Sequence, residues 1–274
     1  MRQYNPTTPA RRGMTVSTRT QLYVGGPEKR LSRGLKRAVG RNSAGRITTR
    51  HKGGGHKQLY RMVDFLQEKR DIPARVATCE YDPNRSSHIA LIVYKDGEKR
   101  YVLLPQNVSI GTEVVVSENA PLQPGNRLPL GRVPIGTFVY SVEIKPGGGG
   151  KLVRSAGVGA EVLAHDAPFV LLRMPSKEIR RVHERCWGSV GRLGREEHRF
   201  VVIGKAGRSR WLGVRPTVRG SAMNPVDHPY GGGEGRALRG TRRPKNRWGK
   251  GTRGVKTRRS KKYSNYLITD NLKK

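Results

Sequence analysis

The sequence predicts an all-β protein in which two small barrels lie between long basic extensions. Charge is unevenly distributed over the 274 residues. Residues 1–72 contain 17 basic and 4 acidic residues (+13), residues 73–200 contain 18 and 13 (+5), and residues 201–274 contain 20 and 3 (+17). Only the middle segment has short period-two apolar runs, spaced about ten residues apart, which are typical of small antiparallel barrels. No stretch has the apolar period of a long amphipathic helix.

We expect residues 1–72 to form an extended basic arm without a core of its own. The run "RNSAGRITTRHKGGGHKQLYR" (41–61) is rich in glycine, arginine and threonine and has no apolar periodicity. Such a composition buries too little apolar surface to offset the entropy of ordering the chain. Residues 1–40 are Arg-rich and acid-poor, as transit peptides are, but they lack an amphipathic helical pattern. We therefore expect them to belong to the mature chain.

The first barrel is predicted within residues 73–124. Two β-rich segments, "ARVATCEYD" (74–82) and "HIALIVYKDGEKRYVLLP" (88–105), are followed by "TEVVVS" (112–117). The Asp-Gly inside "KDGEK" lies between apolar runs and is a strong hairpin signal. Four short strands are therefore expected in this domain.

The second barrel is predicted within residues 125–200. A segment dense in Pro and Gly (120–131) is interpreted as the linker that precedes it. The expected strands, joined by short glycine-rich connections, are 136–144, 151–157, 160–166, 169–175 and 177–183.

Residues 201–274 are expected to form a basic, glycine-rich C-terminal extension. Trp211 and Trp248 are interleaved with arginines, and the stretch "MNPVDHPYGGGEGR" (223–236) places His228 beside Asp227 and before a triple glycine. The final segment, 263–274, has room for one short strand.

A nucleotide-hydrolysing loop is not predicted. Such a loop needs Gly-Lys followed by Ser or Thr, so that amides and the lysine enclose a terminal phosphate. Here Gly150-Lys151 is followed by Leu, and Gly204-Lys205 by Ala. Glycine loops whose bare backbone approaches a nucleic-acid backbone are the better interpretation.

Neither a metal site nor a cofactor is predicted, and any magnesium ion nearby would belong to bound RNA. The pair His51 and His56, and His228, have no further Cys or His close in sequence to complete a ligand set. Cys79 and Cys186 stand alone, which favours a reducing compartment. No apolar run approaches the roughly 18–20 residues that span a bilayer, so no membrane partner is expected.

A net charge of +35 points to a polyanionic partner. Arginine and lysine neutralise phosphates, and interleaved aromatic rings offer stacking faces. DNA-reading helices and zinc fingers are not evident, whereas small barrels with basic extensions suit folded RNA. In these tracts we predict an RNA-binding surface of Arg46, Arg50, His51, Lys52, His56, Lys57, Arg61, Lys205, Arg208, Arg210, Trp211, Arg215, Arg219, His228, Tyr230, Arg236 and Trp248.

Six blocks, in order along the chain, carry a resemblance to a known family. They are "AGRITTRHKGGGHKQLYR" (44–61), "EYDPNR" (80–85), "DGEKRYVLLP" (96–105), "RSAG" (154–157), "GKAGRSRWLG" (204–213) and "MNPVDHPYGGGEGR" (223–236). With these blocks, nearly the whole chain resembles large ribosomal subunit protein two in its bacterial or organellar form. The family usually has His-Pro-His before the triple glycine, whereas this chain has His228-Pro229-Tyr230.

The resemblance implies an OB-fold barrel (73–124) followed by an SH3-like barrel (125–200). It implies a place in the ribosome, cytoplasmic or organellar, with large-subunit rRNA, neighbouring ribosomal proteins and the small subunit at an intersubunit bridge as partners. It also implies support of subunit association, of tRNA binding and of the peptidyl transferase centre. Among individual residues, Arg85 and Arg154 would contact rRNA, and His228 would be the histidine suspected of a catalytic role.

Two alternatives to a structural rRNA-binding protein stay open from the sequence. In the first, His228 is the general base of peptide-bond formation, oriented by Asp227. The sequence offers no nucleophile and no substrate pocket for this reaction, and we expect no enzymatic activity. In the second, the chain is a free RNA chaperone or a DNA-compacting protein, which would need the extensions but not two barrels.

Overall fold

The computed structural model describes residues 1–20, 22–35, 37, 39–235 and 240–270. The chain forms two compact units. Met1–Lys36, Lys57–Lys205 and Tyr266–Lys274 make up the first, whereas Arg37–His56 and Ala206–Asn265 make up the second. The first unit contains both predicted barrels, and the domain boundaries predicted after residues 72, 124 and 200 stay predictions.

Short antiparallel strands build the first unit, which confirms the predicted all-β fold. Its strands are β1 (Arg2–Gln3), β2 (Thr15–Val16), β3 (Ser32–Gly34), β4 (Leu59–Arg61), β5 (Ala74–Glu80), β6 (Ile89–Tyr94), β7 (Lys99–Leu103), β8 (Glu113–Val114), β9 (Arg127–Pro129), β10 (Phe138–Tyr140), β11 (Val142–Glu143), β12 (Gly150–Leu152), β13 (Ala160–Asp166), β14 (Phe169–Arg173), β15 (Ile179–His183), β16 (Trp187–Val190) and β17 (Ile268–Asp270).

Helices are short throughout the described residues. The α-helices are α1 (Pro9–Arg12), in the first unit, and α2 (Ala206–Trp211), in the second. Single 3-10 turns lie at Lys29–Leu31, Leu130–Arg132, Glu196–Phe200, Gly220–Ala222 and Tyr263–Asn265. None of these helices is long and apolar enough to cross a membrane.

The first barrel contains a four-stranded sheet in the order β7-β6-β5-β8. Its strand β6, with the sequence IALIVY, is buried on both faces. Ala90 and Ile92 pack with Val76 on one side, and Ile89 and Leu91 join a larger core cluster on the other. A strand that is covered on both faces needs apolar residues at successive positions, which explains the unbroken apolar run.

The second barrel is formed by a seven-stranded sheet in the order β17-β15-β14-β13-β10-β16-β9. Strand β13 covers the predicted residues 160–166. The single strand predicted over 136–144 is instead divided into β10 and β11 at Ser141, whose φ is +49°. Gly150 packs directly on Ser141, where any side chain would overlap it. The break therefore lets β11 pair with β12 as a separate hairpin.

Two strands of this sheet, β9 and β16, are not predicted from the sequence. The interpretation of residues 120–131 as a linker is wrong for its last part, because β9 pairs there with β16, with Trp187 opposite Pro129 and Ser189 opposite Arg127. The Pro and Gly signals of this segment conceal a three-residue strand. Its partner, which is distant in sequence, supplies the hydrogen bonds, so no local periodicity reveals it.

A buried ion pair joins β9 to β11. Arg127 and Glu143 are 1% and 2% exposed, and Arg127 Nη2 lies 3.1 Å from Glu143 Oε1. Arg127 Nη1 also donates to the Ser141 carbonyl (2.8 Å). The other carboxylate oxygen, Glu143 Oε2, accepts the backbone N–H groups of Gly147 (3.1 Å) and Trp187 (3.2 Å). Both buried charges are therefore paired and hydrogen-bonded, as burial requires.

The N-terminal segment is less extended than its composition predicts. Strand β1 pairs with β2, strand β3 pairs with β4, and the Tyr23 N–H donates to the Cys79 carbonyl (2.8 Å). Leu31, Val63 and Phe65 pack against the large core cluster. These apolar residues are too few and too irregularly spaced to produce a periodic signal, which explains why the sequence predicts an arm without packed contacts.

A buried histidine lies beside the start of β6. His88 is 9% exposed, and its Nδ1 is buried without a hydrogen-bond partner among the described residues. Its ring centroid is 6.3 Å from that of Tyr81. Burial, together with the charges of Arg195 and Arg19, lowers the pKa of His88 from 6.5 to about 4, although Glu197 opposes the shift. The folded protein therefore holds this imidazole neutral at a pH where the unfolded chain protonates it.

Replacing Arg127 with Met is expected to lower the free energy of unfolding by about 3–5 kcal/mol, because Glu143 would stay buried without its counter-charge. The control is Arg173→Met, which breaks the exposed pair with Glu161 (3.0 Å) and should change stability by about 0–1 kcal/mol. Urea denaturation of both variants measures the difference. Equal losses would contradict the importance assigned to the buried pair.

The free energy of unfolding is expected to fall as the pH is lowered from about 6.5 towards about 4, because the unfolded state binds a proton at His88 that the folded state does not. His88→Asn removes this titration and should flatten that part of the pH dependence. Urea denaturation at several pH values in this window measures the free energy of unfolding of the unsubstituted protein and of His88→Asn. Parallel curves for the two would show that His88 does not cause the effect.

Candidate nucleic-acid interface

The second unit joins two basic segments that are far apart in the sequence. Lys52 and Val214 form an antiparallel β-bridge. Next to it, the Gly53 N–H donates to the Gly213 carbonyl (2.9 Å). The glycine loop of the N-terminal segment is thereby fixed against the residues that follow α2. Those residues of 37–56 and 206–265 that are predicted to bind RNA therefore belong to one compact unit.

The indole of Trp211 lies at this junction. The His56 N–H donates to the Trp211 carbonyl (3.0 Å), and the two rings are 5.9 Å apart at an angle of 48°. The Trp211 side chain is half exposed (49%). The backbone contact therefore places an imidazole and an indole together at the surface, where a nucleobase can stack.

A second aromatic site surrounds Trp248, which is 69% exposed. The guanidinium carbons of Arg50 and Arg247 lie 5.8 and 5.5 Å from the centre of its ring. Arg50 comes from the N-terminal segment and Arg247 from the C-terminal one. Cations beside an exposed indole provide both a stacking face and phosphate contacts.

Charge in the second unit is uncompensated. Its sequence contains 22 Lys and Arg and two acidic residues, Asp227 and Glu234. Both carboxylates are exposed, and neither forms an ion pair with a described residue. A surface with this excess of positive charge attracts polyanions.

Most of the predicted contact residues lie at the surface. The exposed ones are Arg46, Arg50, Lys52, His56, Lys57, Arg154, Lys205, Trp211, Arg215, Arg219 and Trp248. The partly buried ones are Arg61, His51, Arg85, Arg208, Arg210 and His228. Arg236 lies outside the described residues. Arg37 and Arg247 belong to the second unit and are not predicted from the sequence, although the position of Arg247 directly before Trp248 is a usable signal.

The segment containing His228 is a compact loop folded on itself. Asp227 and His228 both donate their N–H groups to the Asn224 carbonyl (3.0 and 3.2 Å). The imidazole lies against Gly220, where any side chain would overlap it. His228 Nδ1 accepts the Tyr230 N–H (3.1 Å). The carboxylate of Asp227 makes no hydrogen bond with His228 within the described residues, so the orientation that the catalytic alternative requires is not seen in this structure.

Tyr230 forms the interior of this loop. It is 9% exposed, and its ring centroid lies 5.1 Å from that of His228. Its hydroxyl accepts the Lys245 N–H (2.6 Å) and is 3.2 Å from Thr241 Oγ1. The ring is covered in this conformation, and the place of Tyr230 in the RNA-binding surface stays a prediction. The side chain ties residues 223–232 to residues 241–245.

Two predicted arginines of the first unit are largely committed to internal contacts. Arg85 Nε lies 2.6 Å from Asp82 Oδ2, and Arg61 Nη1 lies 4.0 Å from Asp82 Oδ1. The Asp82 side chain is fully buried, and the two arginines are only 15% and 13% exposed. Arg154 differs, because it is exposed and its guanidinium lies 4.6 Å from the ring centre of Phe65. Arg154 is thus the better placed for RNA.

No metal centre is evident in the part of the chain that the structure describes, where no group of three or more His, Cys, Asp and Glu residues could hold an ion. The second unit presents cations, exposed aromatic rings and bare glycine backbone.

Two family models match the chain. Residues 28–116 match the model for Ribosomal Proteins L2, RNA binding N-terminal domain. Residues 123–249 match the model for Ribosomal Proteins L2, C-terminal domain. The two matches cover most of the chain in the order in which the barrels occur, and the second extends over the His228 loop and Trp248.

Tyr230→Phe is expected to loosen the loop, because the Lys245 N–H loses its acceptor. An unpaired, partly buried N–H costs about 1–3 kcal/mol, so hydrogen exchange of the Lys245 amide should become several-fold faster. Tyr266→Phe, at an exposed tyrosine (69%), serves as the control. Unchanged exchange at Lys245 in Tyr230→Phe would rule out the anchoring role.

Proposed function

The chain belongs to the ribosomal protein L2 family, and from this premise we propose that it supports subunit association, tRNA binding and the peptidyl transferase centre without doing chemistry itself. It is an RNA-binding protein of the large ribosomal subunit, and its two barrels are the OB-fold and SH3-like domains of that family. Large-subunit rRNA is its partner within the ribosome.

The observation that carries the proposal is the composition of the second unit. With 22 basic against two acidic residues, it places an uncompensated positive surface next to exposed Trp211 and Trp248. Neutralising phosphates releases counterions from RNA, and stacking adds contacts that do not depend on salt. A surface of this kind supports rRNA architecture by binding and shaping it.

A catalytic role of His228 is poorly supported by its geometry. Nδ1 already accepts the Tyr230 N–H. In the neutral tautomer compatible with this bond, Nε2 carries the proton and acts as a donor, so the ring has no nitrogen ready to take a proton. The Asp227 carboxylate does not orient the ring either. The loop is therefore proposed to act by its shape.

The proposed contacts with neighbouring ribosomal proteins and with the small subunit at the intersubunit bridge rest on the family resemblance. The proposed location is a ribosome, either in the cytoplasm or in an organelle.

Trp248→Ala in the full chain is expected to weaken binding to purified large-subunit rRNA. Losing one stacked base is worth about 1–3 kcal/mol, or roughly 5-fold to 150-fold in Kd. Phe200→Ala is a matched control, because Phe200 is also exposed (55%) and lies 4.5 Å from the guanidinium of Arg199, but belongs to the first unit. Filter binding at fixed salt compares the two, and equal losses would remove the special role of Trp248.

His228→Gln is expected to leave peptide-bond formation by fully assembled subunits within a few-fold of the unsubstituted protein. A general base contributes about 10²–10⁴-fold, so a single-turnover assay separates the two functions. Asp227→Asn is the companion variant. A loss of a hundredfold or more in His228→Gln, at full occupancy of the protein in the subunits, would establish the catalytic alternative.

A further inference from the structure

Two arginine guanidiniums lie against the triple glycine of residues 53–55. A Cβ built on Gly54 would lie 3.6 Å from Arg210 Nη2, and one built on Gly55 would lie 3.0 Å from Arg37 Nη1. The aliphatic part of Arg215 contacts Gly53 in the same way, with its Cδ 3.7 Å from that Cβ position. The absence of side chains in this loop therefore brings positive charge next to bare backbone.

Several donors at this place have no acceptor. Arg210 Nη1 is buried and makes no hydrogen bond with any described residue. Neither the Gly54 N–H nor the Gly55 N–H donates to another described residue. Buried polar groups in proteins are nearly always paired, so this guanidinium nitrogen lacks, within the described residues, the acceptor that burial normally demands.

An anion is the acceptor that best suits this positively charged unit. Asp227 and Glu234, the acidic residues of this unit, are exposed and form no ion pair with a described residue. Guanidiniums and successive backbone amides together match the oxygens of a phosphate, which accept several hydrogen bonds at once.

The loop is already held in place before an anion arrives. The Arg215 N–H donates to the His51 carbonyl (3.0 Å), and the Gly53 N–H donates to the Gly213 carbonyl (2.9 Å). Gly54 has a φ of +66°, a conformation that a residue with a side chain adopts with difficulty. Binding therefore requires little ordering of the backbone, which favours affinity.

We propose that Arg37, Arg210 and the amides of Gly54 and Gly55 together bind one backbone phosphate of rRNA. This inference rests on the proposed rRNA-binding function and specifies one site within it. The same donors would also bind free inorganic phosphate, so the experiments below distinguish an rRNA phosphate from free phosphate.

The first experiment measures the salt dependence of Kd for the full chain and purified large-subunit rRNA. Arg210→Gln is expected to reduce the slope of log K against log salt by about 0.7–0.9, the value for one phosphate. This corresponds to roughly sixfold weaker binding at about 0.1 M salt if the affinities converge at about 1 M. Arg132→Gln, at an exposed arginine of the first unit, should leave the slope unchanged.

A double variant tests whether the two arginines share one phosphate. If they do, Arg37→Gln combined with Arg210→Gln reduces the slope by about 0.7–0.9, whereas two separate phosphates would give about 1.4–1.8. The larger value would overturn the shared site. Arg37→Gln alone keeps the proposal testable should Arg210→Gln fail to fold.

A glycine pair tests the role of the loop itself. Gly54→Ala and Gly45→Ala impose similar backbone strain, because their φ values are +66° and +73°. Only the methyl group at Gly54 would occupy the space beside Arg210, since nothing lies within 4 Å of a Cβ at Gly45. Gly54→Ala should weaken rRNA binding several-fold more than Gly45→Ala, and equal effects would count against the site.

Controls separate this inference from the proposed function and from a free-anion site. If the unsubstituted chain binds duplex DNA as tightly as rRNA, the proposed function fails. If rRNA preference persists but Arg210→Gln leaves the slope unchanged, only the phosphate site fails. Titration of the chain with inorganic phosphate, followed through ¹⁵N-labelled arginine side chains, covers the other source. If inorganic phosphate binds at these arginines but Arg210→Gln leaves the salt slope of rRNA binding unchanged, the assignment to RNA is overturned.

Discussion

The buried pair of Arg127 and Glu143 is the contact on which the first unit depends most. Neither charge has access to water, so each holds the other in one arrangement, and their remaining hydrogen bonds fix the backbone around them. Glu143 also lies opposite Gly150 in the β11–β12 pair, and the Gly150 carbonyl accepts a hydrogen bond from Arg154 (3.3 Å). An internal charge pair thus positions an arginine that faces the solvent.

The two units differ in how far their positive charges are balanced by acidic residues. In the first, acidic residues are matched with arginines, as Asp82 is with Arg61 and Arg85. Such a region satisfies its own electrostatics and can hold a packed core. In the second unit, cations greatly outnumber the two carboxylates, and the compensating charge has to come from a partner. The first unit thus has the composition of a stable scaffold, and the second has that of a binding surface.

The sequence predicts those features that leave a local signal. The Asp-Gly hairpin between β6 and β7, the extent of β13 and the basic character of both extensions all follow from periodicity, turn residues or charge. Strand β9, the break at Ser141 and the burial of Tyr230 do not, because each depends on a partner distant in sequence or on close packing. The bridge between Lys52 and Val214 belongs to the same class, since backbone pairing leaves no mark on either segment.

That bridge also bears on how the protein is made. Synthesis proceeds from the N-terminus, and domains generally fold as they emerge. The glycine loop at residues 53–55 is made early, but the residues it pairs with, 213–215, follow only after both barrels. During most of translation the loop therefore lacks the residues that hold its conformation. A nascent chain acquires this surface last, and a chain that stops before residue 213 carries the loop without the structure that forms it.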